Sequence, residues 1–147
     1  MTAYFDTSAL VPLVIAEPSS PVCERAWSAA HTITASSLAY VEVHTALAQA
    51  ERQGRIAHVQ RVEAGNSFED LWTQVTTVTP SDEILHHAVQ LGVEFALRGY
   101  DAVHCATAMS IASDELFAVS GDGALLDAWH QLGLATVDTN RQSRGAV

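Results

Sequence analysis

Short apolar runs alternate along the chain with longer stretches in which apolar residues recur every three or four positions, the pattern of strands interleaved with amphipathic helices. Residues 3–5 predict a first strand, and residues 8–15 a short apolar helix that stops near Pro18. Pro21 suits the first turn of a second helix through residue 29, because that turn leaves its N–H groups unpaired. Residues 32–34 predict a second strand, after which Ser36 or Ser37 caps a long helix that runs to residue 53 and is ended by Gly54. A further helix is expected over 56–73 and a third strand over 75–78. Ser81 then caps a helix over 82–97, with Asp82 and Glu83 in the turn where the helix dipole favours acids; Gly99 is expected to break it before a helix over 100–113. A fourth strand at 116–119, a tight turn around Gly121 and Gly123, a helix over 125–132 and a short strand at 136–137 complete the pattern. No internal repeat or low-complexity tract interrupts it.

Strands alternating with helices predict an α/β fold, an α/β/α sandwich around a mostly parallel central sheet. Ligands of such folds bind at the carboxyl ends of the strands. Asp6 follows the first expected strand and Asp122 the fourth, so both stand where that rule puts chemistry. With 147 residues the chain has the length of one ordinary domain, expected to span 1–147 around one core without a linker. The apolar run at 9–16 has no basic flank and is too short to cross a bilayer, so neither export nor membrane insertion is expected. Two cysteines, Cys23 and Cys105, form no close-spaced pair, which fits a reducing cytoplasm.

Within this pattern a few carboxylates stand where apolar residues belong. Asp6 sits between an apolar strand and an apolar helix; it either caps the helix or meets a positive partner, since burying an unpaired carboxylate is expensive. Glu42 lies mid-helix, four residues after Leu38 and four before Ala46, on a face with little other charge. Asp101 shares a helical face with His104, Cys105 and Ala108, and a helix-start role is its ordinary alternative. Asp122 reads equally as a turn or cap residue. Four converging carboxylates repel one another unless cations neutralise them, and hard divalent cations such as Mg2+ or Mn2+ take oxygen ligands. His104, one turn beyond Asp101, is a site residue or a buried, hydrogen-bonded structural histidine, whereas His86 and His87 lie on a polar helix and are expected to be exposed.

Charge narrows the chemistry further. Seventeen acids face 7 basic residues, all arginine (Arg25, Arg52, Arg55, Arg61, Arg98, Arg141 and Arg144), for a net charge of −10. Such acidity argues against a broad footprint on duplex DNA and favours a basic protein partner. The absence of lysine removes a phosphate-binding P-loop, and it disfavours a receiver domain or a haloacid-dehalogenase-type phosphotransferase, which would also want an acid where Ser8 stands. No HExxH, no GxGxxG and no GxSxG elbow is present.

In order along the chain, YFDTSALV, YVEVHTAL, GYDAVHCATA and SGDGALLDAWHQLGL resemble the motifs of PIN-domain proteins, and most closely those of VapC toxins from bacterial toxin–antitoxin modules. The resemblance implies a metal-dependent endoribonuclease whose acids fall on Asp6, Glu42, Asp101 and Asp122, with Asp127 the rival for the fourth. It also matches Thr7 and Ser120 to small polar residues beside those acids. One or two Mg2+ or Mn2+ ions at the four acids would activate water for in-line attack on an RNA phosphodiester, leaving a 5′-phosphate and a 3′-hydroxyl. The same likeness implies a basic antitoxin that sets an arginine against the carboxylates, and the apolar helical region at 41–71 suits it and a homodimer. A PIN-like module that binds RNA or a partner without cutting is the alternative, disfavoured by the intact set of acids.

Overall fold

The computed structural model describes residues 1–141; Arg144 lies outside them. Five strands, β1 (Thr2–Phe5), β2 (Thr32–Ser36), β3 (Val75–Val78), β4 (Leu116–Ser120) and β5 (Ala135–Asp138), form one sheet. Its order is β3-β2-β1-β4-β5 and every pairing is parallel, so all five carboxyl ends point the same way. The helices are α1 (Thr7–Leu10), α2 (Ser20–Ala29), α3 (Leu38–Arg52), α4 (His58–Trp72), α5 (Asp82–Phe95), α6 (Gly99–Ser110) and α7 (Gly123–Gln131). The expected α/β/α sandwich is therefore what the chain forms.

Alternation along the strands assigns each side chain to a face. Ala3, Phe5, Phe117 and Val119 pack with Leu10, Cys23, Val43, Leu47 and Phe68 on the side covered by α1 to α4. Tyr4, Leu116 and Ala118 pack with Ile84, Leu91, Cys105, Leu125 and Trp129 beneath α5 to α7. The two cysteines thus lie on opposite faces of the sheet, both buried and unbridged. Burial pushes each thiol up to about 12, so neither is a thiolate at neutral pH.

Several helix boundaries differ from the pattern by a few residues, and two of the differences have clear local causes. The first helix is α-helical only to Leu10 and continues as a 3-10 turn, Val11–Leu13. Pro12 lacks the N–H that would bond the Ser8 carbonyl, so the α ladder ends there. The break expected at Gly99 occurs earlier: α5 stops at Phe95, Ala96 adopts φ 54°, and Gly99 instead opens α6. A left-handed alanine costs about 1–2 kcal/mol, and glycine relieves that at a loss of roughly 0.4–1 kcal/mol in the unfolded chain. Ala96→Gly should accordingly stabilise the protein by about 0.5–1 kcal/mol, read as a higher urea midpoint; a lower midpoint would disprove that view of the cap.

Candidate active site

Strand order places the site. β1 leads outward through β2 to β3, whereas β4 and β5 lie on its other side, so the order reverses between β1 and β4. A crevice opens at such a switch point beyond the carboxyl ends of the strands. Asp6 and Asp122 stand there, directly after β1 and just after β4. Glu42 enters from the second turn of α3 and Asp101 from the first turn of α6.

Asp6 is both a cap and something more. Its Oδ1 accepts hydrogen bonds from the Ala9 amide at 3.1 Å and the Ser8 hydroxyl at 2.7 Å, while Oδ2 accepts from the Ser120 hydroxyl at 2.6 Å. The carboxyl group is buried, and burial raises its pKa; the His104 charge and hydrogen bonds from Ser120, Ser8 and Ala9 pull it back only in part. A cap that needs one donor has been enclosed by three. The turn after β4 is held to the same cluster: the Gly121 amide donates to Ser8 Oγ at 2.8 Å and the Asp122 amide to Ser120 Oγ at 2.9 Å. A Cβ on Gly121 would lie 2.8 Å from Thr139 Oγ1, so this close approach admits only glycine without a shift.

Glu42 is half-buried, not turned to solvent, and Oε1 accepts from Thr7 Oγ1 at 3.0 Å and lies 2.7 Å from His104 Nε2. His104 is buried on α6, and its Nδ1 lies 2.7 Å from the Tyr4 hydroxyl. Burial opposes the charged imidazole, yet the Glu42 hydrogen bond and the charges of Asp6, Glu42 and Asp101 outweigh it and raise its pKa. Tyr4 is raised well above its ordinary value, first by burial and then by the Asp6 charge, so its hydroxyl keeps its proton.

Asp101 and Asp122 share one cation. Arg98 Nε reaches Asp101 Oδ2 at 3.2 Å and its Nη2 lies 3.7 Å from Asp122 Oδ2, although the arginine side chain is 86% exposed. Asp122 also caps α7 through the Leu125 amide at 3.1 Å. Asp127 is exposed and lines a separate hollow with His130, Thr136 and Asp138, away from Arg98. His86 and His87 are exposed, as their helix suggested. Glu42, Arg98, Tyr100 and Asp101 line a cavity of about 680 Å³ with Leu38 and Val103. As the side chains stand, no three His, Cys, Asp or Glu side chains among the described residues are grouped closely enough to hold a metal ion.

Sequence reasoning left His104 open and did not single out Tyr4, a hundred residues earlier. It also named Arg98 only in the count of seven arginines, since nothing in the order of residues shows one guanidinium spanning two acids.

The five-strand parallel sheet is of the PIN-domain kind, and the sequence model of that domain matches residues 3–128: the chain belongs to the PIN-domain family. Ribonuclease VapC45 of Mycobacterium tuberculosis is 34% identical over 130 residues, covering 88% of this chain and 90% of that protein. Ribonuclease VapC3 of Pyrobaculum aerophilum is 32% identical over 113 residues, covering 76% and 84%. Among solved structures the same fold occurs in a chain from a toxin–antitoxin complex of Klebsiella pneumoniae, with TM-score 0.66 and 18% identity over 95% of this chain and 99% of that one. It occurs too in Mycobacterium tuberculosis VapC20, described as a sarcin-ricin loop cleaving toxin, with TM-score 0.65 and 20% identity over 86% and 94%.

Proposed function

We propose that this chain is a metal-dependent endoribonuclease that serves as the toxin of a toxin–antitoxin module. The observation that carries the reading is that Asp6, Glu42, Asp101 and Asp122 reach the carboxyl end of the sheet from four separate elements and are linked in pairs there, Asp6 to the Asp122 amide through Ser120 and Asp101 to Asp122 through Arg98, with His104 on Glu42. The ribonuclease names of its relatives support it.

The residues fit Mg2+ or Mn2+ by donor chemistry, because all four are carboxylates and hard divalent cations take oxygen. Arg98 marks where the acids call for positive charge. Asp6 and Glu42 are already fixed by hydrogen bonds, whereas Asp101 and Asp122 must turn from Arg98 for an ion to be held. When bound, such an ion lowers the pKa of water and polarises the phosphodiester. The chain's own part is to hold four negative groups in place and, through Ser8 and Ser120, to keep Asp6 from turning away. Freed from its acids, the Arg98 fork suits a phosphate of the RNA backbone.

The test is incubation with total cellular RNA and Mg2+ or Mn2+, with the fragment ends mapped. Discrete fragments carrying 5′-phosphates and 3′-hydroxyls, absent when a chelator is added, are expected. RNA left intact in the presence of metal would overturn the reading, and retained RNA binding without cutting would point to a PIN-like binding module.

Partner binding follows from the surface. Val41, Val59 and Val62 are exposed on α3 and α4, which supports burial of this region against a second copy or an antitoxin segment. An antitoxin arginine can replace Arg98 as the cation between acids. Association with a basic antitoxin should slow as salt rises, with dissociation little changed; salt-independent association would remove the electrostatic part of this account.

A further inference from the structure

Glu42 differs from the other acids in how it is held. A glutamate has three side-chain torsions to fix, and this one sits half-buried in the lining of the cavity with Asp101 and Arg98. Both of its hydrogen bonds fall on Oε1, from Thr7 and from His104, which leaves Oε2 for another ligand. A carboxylate only accepts, so His104 Nε2 carries the proton it donates. In the neutral ring Nδ1 is then the acceptor, and the Tyr4 hydroxyl is its donor at 2.7 Å. The imidazole is thus gripped at both nitrogens.

The grip is itself rigid. Tyr4 is in the central strand and fully buried, with Trp129 edge-on to its ring at 5.9 Å between centroids. His104 is 2% exposed, and its ring meets the tyrosine ring edge-on at 6.0 Å. A buried neutral imidazole has one donor and one acceptor to satisfy; here the acceptor is met from within the core by Tyr4, and the donor is spent on a carboxylate that lines the cavity.

We propose that Tyr4 and His104 are a positioning pair that fixes the Glu42 carboxylate for the acid site. The inference rests on the nuclease reading. It gives the pair no contact with RNA: Tyr4 orients His104, His104 orients Glu42, and Glu42 offers its free oxygen. Partners that orient a ligating group typically contribute 10- to 100-fold in metal affinity or activity.

The experiment is Mn2+ titration of the metal-stripped protein by calorimetry, alongside kcat and KM for RNA cleavage, in wild type, His104→Leu, His104→Gln and Tyr4→Phe. For His104→Leu we expect Mn2+ affinity and kcat each to fall by roughly 10- to 100-fold with KM for RNA little changed. His104→Gln, whose amide can donate to Glu42, should recover most of the loss, and Tyr4→Phe should fall between wild type and His104→Leu. A stability role alone would move the melting temperature but not the Mn2+ affinity of the folded protein. A folded His104→Leu with wild-type Mn2+ affinity, or a His104→Gln no better than His104→Leu, would overturn the inference. Should His104→Leu fail to fold, Tyr4→Phe decides, since it keeps the ring and removes only the hydroxyl; unchanged affinity and kcat there would also overturn it. A wild-type protein that binds no Mn2+ would instead fell the nuclease reading and this inference with it.

Discussion

Asp6→Asn should abolish RNA cleavage while the metal-free protein remains folded and is no less stable than wild type. The loss should exceed the roughly 10- to 100-fold expected from removing an orienting partner, because the proposed function makes Asp6 a ligand and not the partner of one. The stability half follows from its pKa, which burial raises above the ordinary aspartate range. A carboxyl group with a raised folded-state pKa contributes stability that is fully present below its unfolded pKa and is lost as pH rises through the folded value. At neutral pH without metal the ionised Asp6 is therefore a net cost, despite its hydrogen bonds to Ser8, Ser120 and Ala9. Asparagine removes the charge and keeps the shape. In chelator at pH 7 the variant should melt at or above the wild-type temperature, and the difference should shrink as the pH falls toward 4. Adding Mn2+ should then raise the melting temperature of wild type more than that of the variant. Cleavage at the wild-type rate would refute the assigned role, and a variant that melts well below wild type in chelator would refute the electrostatic account.

Trp129→Ala should be the most damaging of the core substitutions, costing about 3–5 kcal/mol in urea unfolding. The side chain is fully buried, heads the cluster under α5 to α7, and donates its indole N–H to the Cys105 carbonyl at 3.4 Å. Against a total stability of about 5–15 kcal/mol, that leaves a marginal fold. The cavity would also free one side of the Tyr4 ring. A cost under about 2 kcal/mol would mean that α6 and α7 collapse into the space, which the close packing of Leu125 and Ala128 does not suggest.

How far the sequence showed all this depends on distance along the chain. Hydrophobic period located every strand and helix, because it reports which face of a local segment is buried. Ser81 was legible as a cap by its place before two acids, and it accepts the Ile84 amide at 3.2 Å. Asp6, Glu42 and Asp101 stood out because each lies among apolar residues, whereas Asp122, in a turn, was singled out by its place after the fourth strand and by the family resemblance. Position 96 was not: no rule of composition sends an alanine into the left-handed region when glycine stands three residues later. Pro12 was visible, but the apolar run around it masked its effect on the helix. Asp122 and Asp127 could not be ranked from spacing, since the choice turns on where α7 begins, and Gly123 starts it two residues sooner than the pattern implied. Arg98 and the Tyr4–His104 contact required the tertiary fold, because they join residues brought together by the sheet and not by any turn.

The bond between Ser120 and Asp6 closes a loop of 114 residues, and β1 pairs with β4 across the same interval. On a ribosome, a chain that has emerged only as far as α5 already carries Asp6 and Glu42 but has neither Asp101 nor the strand that completes the centre of the sheet. Long-range parallel pairing is slow to form and has no local substitute. Until residues 116–120 appear, β1 keeps one bare edge and Asp6 lacks the hydroxyl that holds its second oxygen. A copy cut short before β4 would therefore lack both the neighbour of β1 and the Ser120 hydroxyl on Asp6, so these contacts can form only after more than three-quarters of the 147 residues have been made.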